Sequence, residues 1–322
     1  MADHPRQKRW GTSAKHHLYG WACIVFGESV AKEGLRKPLD FLSRDHEMRA
    51  DFYILIARGT SAGNVLKTLD PQENIPANAM FLSLETSEKS FAATVVKEID
   101  DLITEIVSDG QDPVITGIKV TGRKEQGMSM EENLKKVDTP VRLKLDGTAV
   151  FRDDKLVGWL NSSETKGYNY ATGRVKDTVG NIACPEHQGN MAIEVLRTDA
   201  KIKGKVKNGR PIVDIYIESE ANIGEVECDI DLMNLSTFTK LKRMLNKQSK
   251  KQIDMAVEKA KEFRSDIFGF GNAIHRSDPK GWAQVKHHWS DLFPDTKVNV
   301  HVHTKLQRTG TITESFQKEN VK

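Results

Sequence analysis

The chain has 322 residues and a mass of 36.2 kDa, a length for which two domains are expected, with one domain carrying insertions as the alternative; it is 38% hydrophobic and 29% charged, enough apolar side chain to bury a core and too much for disorder along most of its length. Its 48 Lys and Arg against 45 Asp and Glu leave a net charge of +3, which excludes nucleic acid as the default partner. No apolar run reaches the roughly 18 residues of a membrane-spanning helix, and Met1 to Trp10 carries charge without an apolar h-region, so neither a span nor a secretory signal is expected in what is written.

In chain order, Leu18 to Phe26 is aromatic and β-branched and is closed by Gly27, the pattern of a buried strand. Short helices are expected over Glu28 to Ala31 and Pro38 to Asp45, separated by Gly34. A second buried strand follows at Phe52 to Ala57, then helical spacing at Val65 to Leu69 and Met80 to Leu84. One helix is predicted through Phe91, Val95, Val96, Ile99, Leu102, Ile103 and Ile106, feeding a strand at Val114 to Val120. The polar stretch 123–139 reads as a linker between a first region, 1–122, and a second, 140–322. Beyond it come a hairpin, Val141 to Phe151 with Lys155 to Leu160, and a short helix, Ser162 to Tyr170. Three strands follow, Thr178 to Ala183, Met191 to Val206 and Pro211 to Ile223. Phe238, Leu241, Leu245, Ile253, Val257, Ala260 and Phe263 mark a long amphipathic helix, followed by shorter helices near Ile267 to Ile274 and Pro279 to Leu292 and a closing strand, Lys297 to Lys305. Strands and helices segregate, so the fold class is α+β, two domains with mixed or antiparallel sheets packed by helices.

Motifs for chemistry fail one after another. Gly269-Phe-Gly271 is not followed by the third glycine of a dinucleotide fingerprint, Gly59 to Gly63 lacks the Lys-Ser/Thr of a phosphate loop, and no nucleophile elbow or H-E-x-x-H is present. No catalytic residue and no cofactor is therefore assigned. Cys23, Cys184 and Cys228 lie far apart with no C-x-x-C pair, which is read as excluding a cysteine zinc site and a disulfide framework, with Cys23 a buried thiol in its strand. His301 and His303 share one face of a predicted strand and would ligate a metal if His287 or His288 folded over them; the alternative is an exposed face whose valines point inward. Lys201, Lys203, Lys205 and Lys207 alternate along a strand, either a solvated face that guards an edge or a surface attracted to anionic lipid. Trp282, Val285, Trp289 and Leu292 form an apolar stripe after the helix start Ser277-Asp278-Pro279, and Phe268, Gly269, Phe270 and Gly271 precede it. The aromatics are read as core, the glycines as permitting close approach.

Leu145 to Leu160 with Glu164-Thr-Lys-Gly167, and Asp266 to Phe293 with Lys305 to Gly310, resemble the carboxy-terminal domain of the Ger(x)C spore germination proteins. Gly27 to Gly34 and Leu39 to Arg49 match the family's first domain. The resemblance covers nearly all of 18–310 in the family's order. It implies a non-enzymatic C subunit of a nutrient germinant receptor, lipid-anchored on the outer face of the spore inner membrane beside two integral-membrane subunits of A and B type. It supplies no catalytic, cofactor or metal residue. The family's lipoprotein signal, lipobox cysteine and first α/β stretch do not precede the segment matching Leu18, so a fragment, or a start assigned too far downstream, is expected. A generic envelope lipoprotein scaffold and a hydrolytic or metal-dependent enzyme are the competing readings.

Overall fold

The structure, a computed structural model, describes residues 23–44, 52–68, 76–122, 141–185, 188–228, 230, 232 and 234–307. Two mixed sheets organise it. The first has the order β1-β2-β3-β4-β5, formed by β1 (Cys23–Gly27), β2 (Tyr53–Ala57), β3 (Val114–Gly122), β4 (Val141–Arg152) and β5 (Lys155–Leu160). β1, β2 and β3 run parallel, and β4 and β5 add antiparallel strands. The second has the order β6-β7-β8-β9: β6 (Lys176–Ala183), β7 (Asn190–Lys207) and β8 (Arg210–Val226) are antiparallel neighbours, and β9 (Lys297–Gln307) joins β8 in parallel. The α+β class read from the sequence is what the molecule adopts.

In β2 alternate side chains go to opposite faces, as the period of two requires. Ile54 and Ile56 pack with α1 (Glu28–Glu33), α2 (Arg36–Arg44) and α5 (Ile99–Ile106), while Leu55 and Ala57 pack with α3 (Ala62–Lys67) and α4 (Pro76–Phe91). The first sheet is thus covered on both faces. The second is covered on one. Its inner side chains, including Ile193, Val213, Ile215, Ile217 and Ile223, pack on α6 (Ser162–Ala171) and the long α7 (Leu235–Phe263). α6 starts on a capping box, the Asn161 Oδ1 accepting from Ser163 and Glu164 N–H groups at 2.9 and 3.0 Å and Glu164 accepting from the Asn161 N–H at 2.7 Å. α6 crosses α7 at Gly167, where a Cβ would lie 2.0 Å from the Gln252 carbonyl oxygen. The chain then forms α8 (Phe270–Ser277), α9 (Pro279–Val285), a 3₁₀ turn and α10 (Trp289–Leu292).

Three readings change. The helix predicted from Phe91 is broken at Ala92, whose φ is +49°, and helix resumes only at Ile99; Ile54 N–H bonds Lys97 O at 3.1 Å, so an apolar spacing that suited a helix belongs in part to extended chain beside β2. The exclusion of a disulfide is corrected: Cys184 and Cys228 are bonded, with Cα atoms 6.4 Å apart. β7 brings the end of β6 and the end of β8 together, Cys184 N–H bonding Gly189 O and Glu227 N–H bonding Asn190 O, a proximity that a separation of 44 residues conceals. The expected linker 123–139 lies outside the described residues, but β4 and β5 on its far side complete the first sheet. Cys23 is partly exposed and unbonded, and burial pushes its thiol up to about 12. Leu18 to Ala22, the start of the predicted first strand, also lies outside the described residues.

Candidate functional site at the junction of the sheets

Between α7 and α8 the chain turns inward through Ser265 and Asp266, both buried. Asp266 accepts three N–H groups: Phe270 N at 2.9 Å on Oδ1, and Gly271 N at 2.8 Å and Trp289 Nε1 at 3.0 Å on Oδ2. Two of these are the free N–H groups that open α8, which a carboxylate satisfies while favouring the positive end of the helix. Asp112, just before β3, completes the joint from the first sheet. Its Oδ2 accepts Asp266 N at 2.8 Å, its Oδ1 accepts Asp153 N at 2.7 Å, and its own N–H donates to Asp266 O at 2.9 Å. Ser265 Oγ donates to Phe151 O in β4. Burial pushes Asp266 up to about 7 and Asp112 up to about 6, against the pull of their N–H donors.

The aromatics pack around this carboxylate. Phe268 stacks on Phe270 with centroids 5.2 Å apart, Tyr168 lies 5.6 Å from Phe268, and Trp282 meets Trp289 edge-on at 5.4 Å. Phe268, Phe270, Trp282 and Trp289 are all buried. Gly269 takes a left-handed conformation, φ +68°, at the start of α8. Gly271 crosses Gly110: a Cβ on Gly271 would stand 2.6 Å from the Gly110 Cα and 2.8 Å from the Trp282 ring. Asn272 N–H bonds Gly110 O at 3.1 Å across the same crossing. The six residues singled out in this stretch therefore sit together as a packed joint.

Beside the joint lies a polar group that sequence reading missed. Lys97, 2% exposed, pairs with Glu105, which also accepts Gln111 Nε2 at 3.1 Å; Arg174 reaches Glu88 at 3.2 Å. Burial raises the Glu105 carboxyl and the neighbouring Lys97 lowers it, with the upward push the larger. The signal was a lysine directly after Val95 and Val96, two residues before Ile99. A cleft of about 230 Å³ borders the joint, lined by Asp109, Asn272, His275, Pro279, Trp282 and Lys286 among others.

The other candidates are elsewhere. Lys201, Lys203, Lys205 and Lys207 are exposed on the outer face of β7, and His301 and His303 on that of β9. His301 stacks on Tyr216 at 4.9 Å, its Nε2 3.4 Å from Asp214 Oδ1. Among the described residues no group of three or more His, Cys, Asp and Glu is arranged to hold a metal ion, so the third ligand that His301 and His303 need is not brought to them.

Two family descriptions match the chain in sequence order: "Spore germination protein N-terminal domain" over residues 22–120 and "Spore germination B3/ GerAC like, C-terminal" over 146–310. Spore germination protein KC of Bacillus subtilis is 31% identical over 290 residues, which cover 89% of this chain and 71% of the relative. This chain belongs to the Ger(x)C spore germination family. Spore germination protein B3 of the same organism is 22% identical over 90% of this chain and 73% of its own. The crystal structure of the GerBC protein shares the fold, with a TM-score of 0.63 at 19% identity, covering 91% of this chain and 81% of that one. In family terms Asp112 lies in the N-terminal match and Asp266 in the C-terminal match, so the carboxylate joint ties the two Ger(x)C domains to each other.

Proposed function

We propose that this Ger(x)C protein is the C subunit of a nutrient germinant receptor, a non-enzymatic component that helps assemble the receptor with A-type and B-type integral-membrane subunits. In this reading it works at the outer face of the spore inner membrane as a lipoprotein. The observation that carries it is the match of both family domains, in order, over most of the chain. The packed joint agrees with an assembly role: its charged groups hold backbone and one another and do not converge on an open cleft. No helix among the described residues is long and apolar enough to cross a membrane, so within them attachment falls to other means.

The test is genetic. Spores lacking this gene, in a strain with no second receptor of the kind, should be viable and dormant yet fail to germinate with one class of small nutrients. They should still germinate with agents that act after sensing, and a full-length copy should restore the response. Normal germination of the deletion spores with every nutrient would overturn the receptor reading.

A further inference from the structure

The outer face of the second sheet is polarised along its strands. Cross-strand register sets Lys207 beside Arg210, Lys205 beside Ile212 and Lys297, Lys203 beside Asp214 and Asn299, and Lys201 beside Tyr216 and His301. These four rows at the hairpin end hold the cations Lys201, Lys203, Lys205, Lys207, Arg210 and Lys297 and a single acid, Asp214. The next row reverses the balance, with Asp199 beside Glu218, and in the row after it the cations are paired, Glu220 meeting Arg197 at 2.9 Å and Lys305 at 3.5 Å. None of the six hairpin-end cations forms an ion pair with a described residue.

Edge protection does not account for the row. At Gly204 and Val206 the side of β7 away from β8 is already occupied, because Gly204 N–H is taken by Ser277 Oγ at 3.2 Å and Val206 N–H by Asp278 Oδ2 at 3.0 Å. Gly204 rests against Ile274, where a Cβ would lie 2.4 Å from Cγ1. The lysines therefore stand on a braced strand, about 7 Å apart along it, and like charges on neighbouring positions of one face repel. Tyr216 is 40% exposed at the margin of this array, with Lys203 Nζ 5.7 Å from its ring centroid. We propose that the hairpin end of this face docks on an anionic lipid surface. Five of the six cations are lysines, compact point charges suited to a laterally mobile array of headgroups, whereas a fixed acidic protein site favours the arginine fork. Tyr216 supplies the amphipathic ring that settles at a headgroup boundary. This goes beyond the receptor reading, since it orients the C-terminal domain with its sheet face toward the membrane, and it is read on purified protein without germination.

The experiment is sedimentation of the whole chain with vesicles of phosphatidylcholine alone or with about 30% phosphatidylglycerol. Binding should require the anionic lipid and fall at least about tenfold between about 0.1 M and 1 M salt as the Debye length shrinks. The combined K201Q, K203Q, K205Q and K207Q variant should bind at least about tenfold more weakly with unchanged thermal unfolding. A control with the same charge change on α7, K242Q, K247Q, K250Q and K251Q, should bind like the parent. Failure of the parent to bind anionic vesicles, the outcome if the face instead meets an acidic protein, overturns the proposal, as does equal loss in the control.

Discussion

Asp266 gathers three N–H groups that nothing else satisfies, and the cost of disturbing it can be stated one atom at a time. Trp289→Phe keeps most of the buried ring and removes one donor from a buried carboxylate, so unfolding in urea should show a loss of about 1 to 3 kcal/mol. Gly271→Ala should cost at least as much by overpacking, since its Cβ meets backbone at Gly110 as well as the Trp282 ring. A pH dependence follows from the carboxylates themselves. Asp112 and Asp266 titrate above the ordinary carboxylate value, so between about pH 4 and 7 the native state holds protons the unfolded chain has released. Their contribution to stability is full below about pH 4 and is lost as pH rises through about 6 and 7, at up to about 1.4 kcal/mol per pH unit for each group. Urea unfolding from pH 5 to 8 should therefore decline less steeply in Asp266→Asn than in the parent; equal slopes would show that Asp266 is ionised throughout. The aromatic stripe was legible because helical spacing announces it. The carboxylate partners were not, because Asp112 and Asp266 are 154 residues apart and no local pattern pairs them.

At the scale of elements, strands were the easier reading because β-branched runs and local alternation, as along β7, mark them within a few residues. The segment from Phe91 to Ile106 was harder, since Val95, Val96 and Ile99 suit a helical spacing whether or not the chain is helical there. Its actual path is fixed by distant groups, with Thr116 Oγ1 accepting Val95 N–H at 2.8 Å and donating to Val95 O at 2.9 Å. The disulfide belongs to this scale too. It fastens the end of β6 to the chain leaving β8, and closing a loop of 44 residues accounts for up to about 4 kcal/mol in the chain-entropy picture. Changing Cys184 and Cys228 together to Ser should lower unfolding free energy by about 2 to 4 kcal/mol while leaving the far-ultraviolet circular dichroism unchanged. A double variant as stable as the oxidised parent would mean that β7 alone aligns these strand ends.

The whole molecule is held by two independent crossings between its halves, and they argue against treating the N-terminal and C-terminal family matches as beads on a string. β3 pairs with β4 from Val114 opposite Val150 to Gly122 opposite Val141, so the central strand of the first sheet finds its partner across residues 123–140. The Asp112 to Asp266 joint and the Gly110 to Gly271 crossing repeat the attachment at the Val114 to Val150 end of that ladder. The largest apolar cluster among the described residues is continuous through both, taking Val114, Val150 and Leu160 from the first sheet together with Ile215 from the second, Val257 from α7 and Trp289 from α10. Covalent continuity between 122 and 141 is then unnecessary once the protein has folded. With a specific protease site inserted between residues 125 and 135, the cleaved chain should elute from a sizing column as one particle of the parent's size, and its two pieces should separate only in denaturant. Unfolding of the nicked protein should remain a single transition, moved to lower denaturant because the pieces now gain freedom on dissociation. Separation of the pieces under native conditions would show that the β3 to β4 ladder and the carboxylate joint do not suffice, and that the two matches fold and act as separate domains.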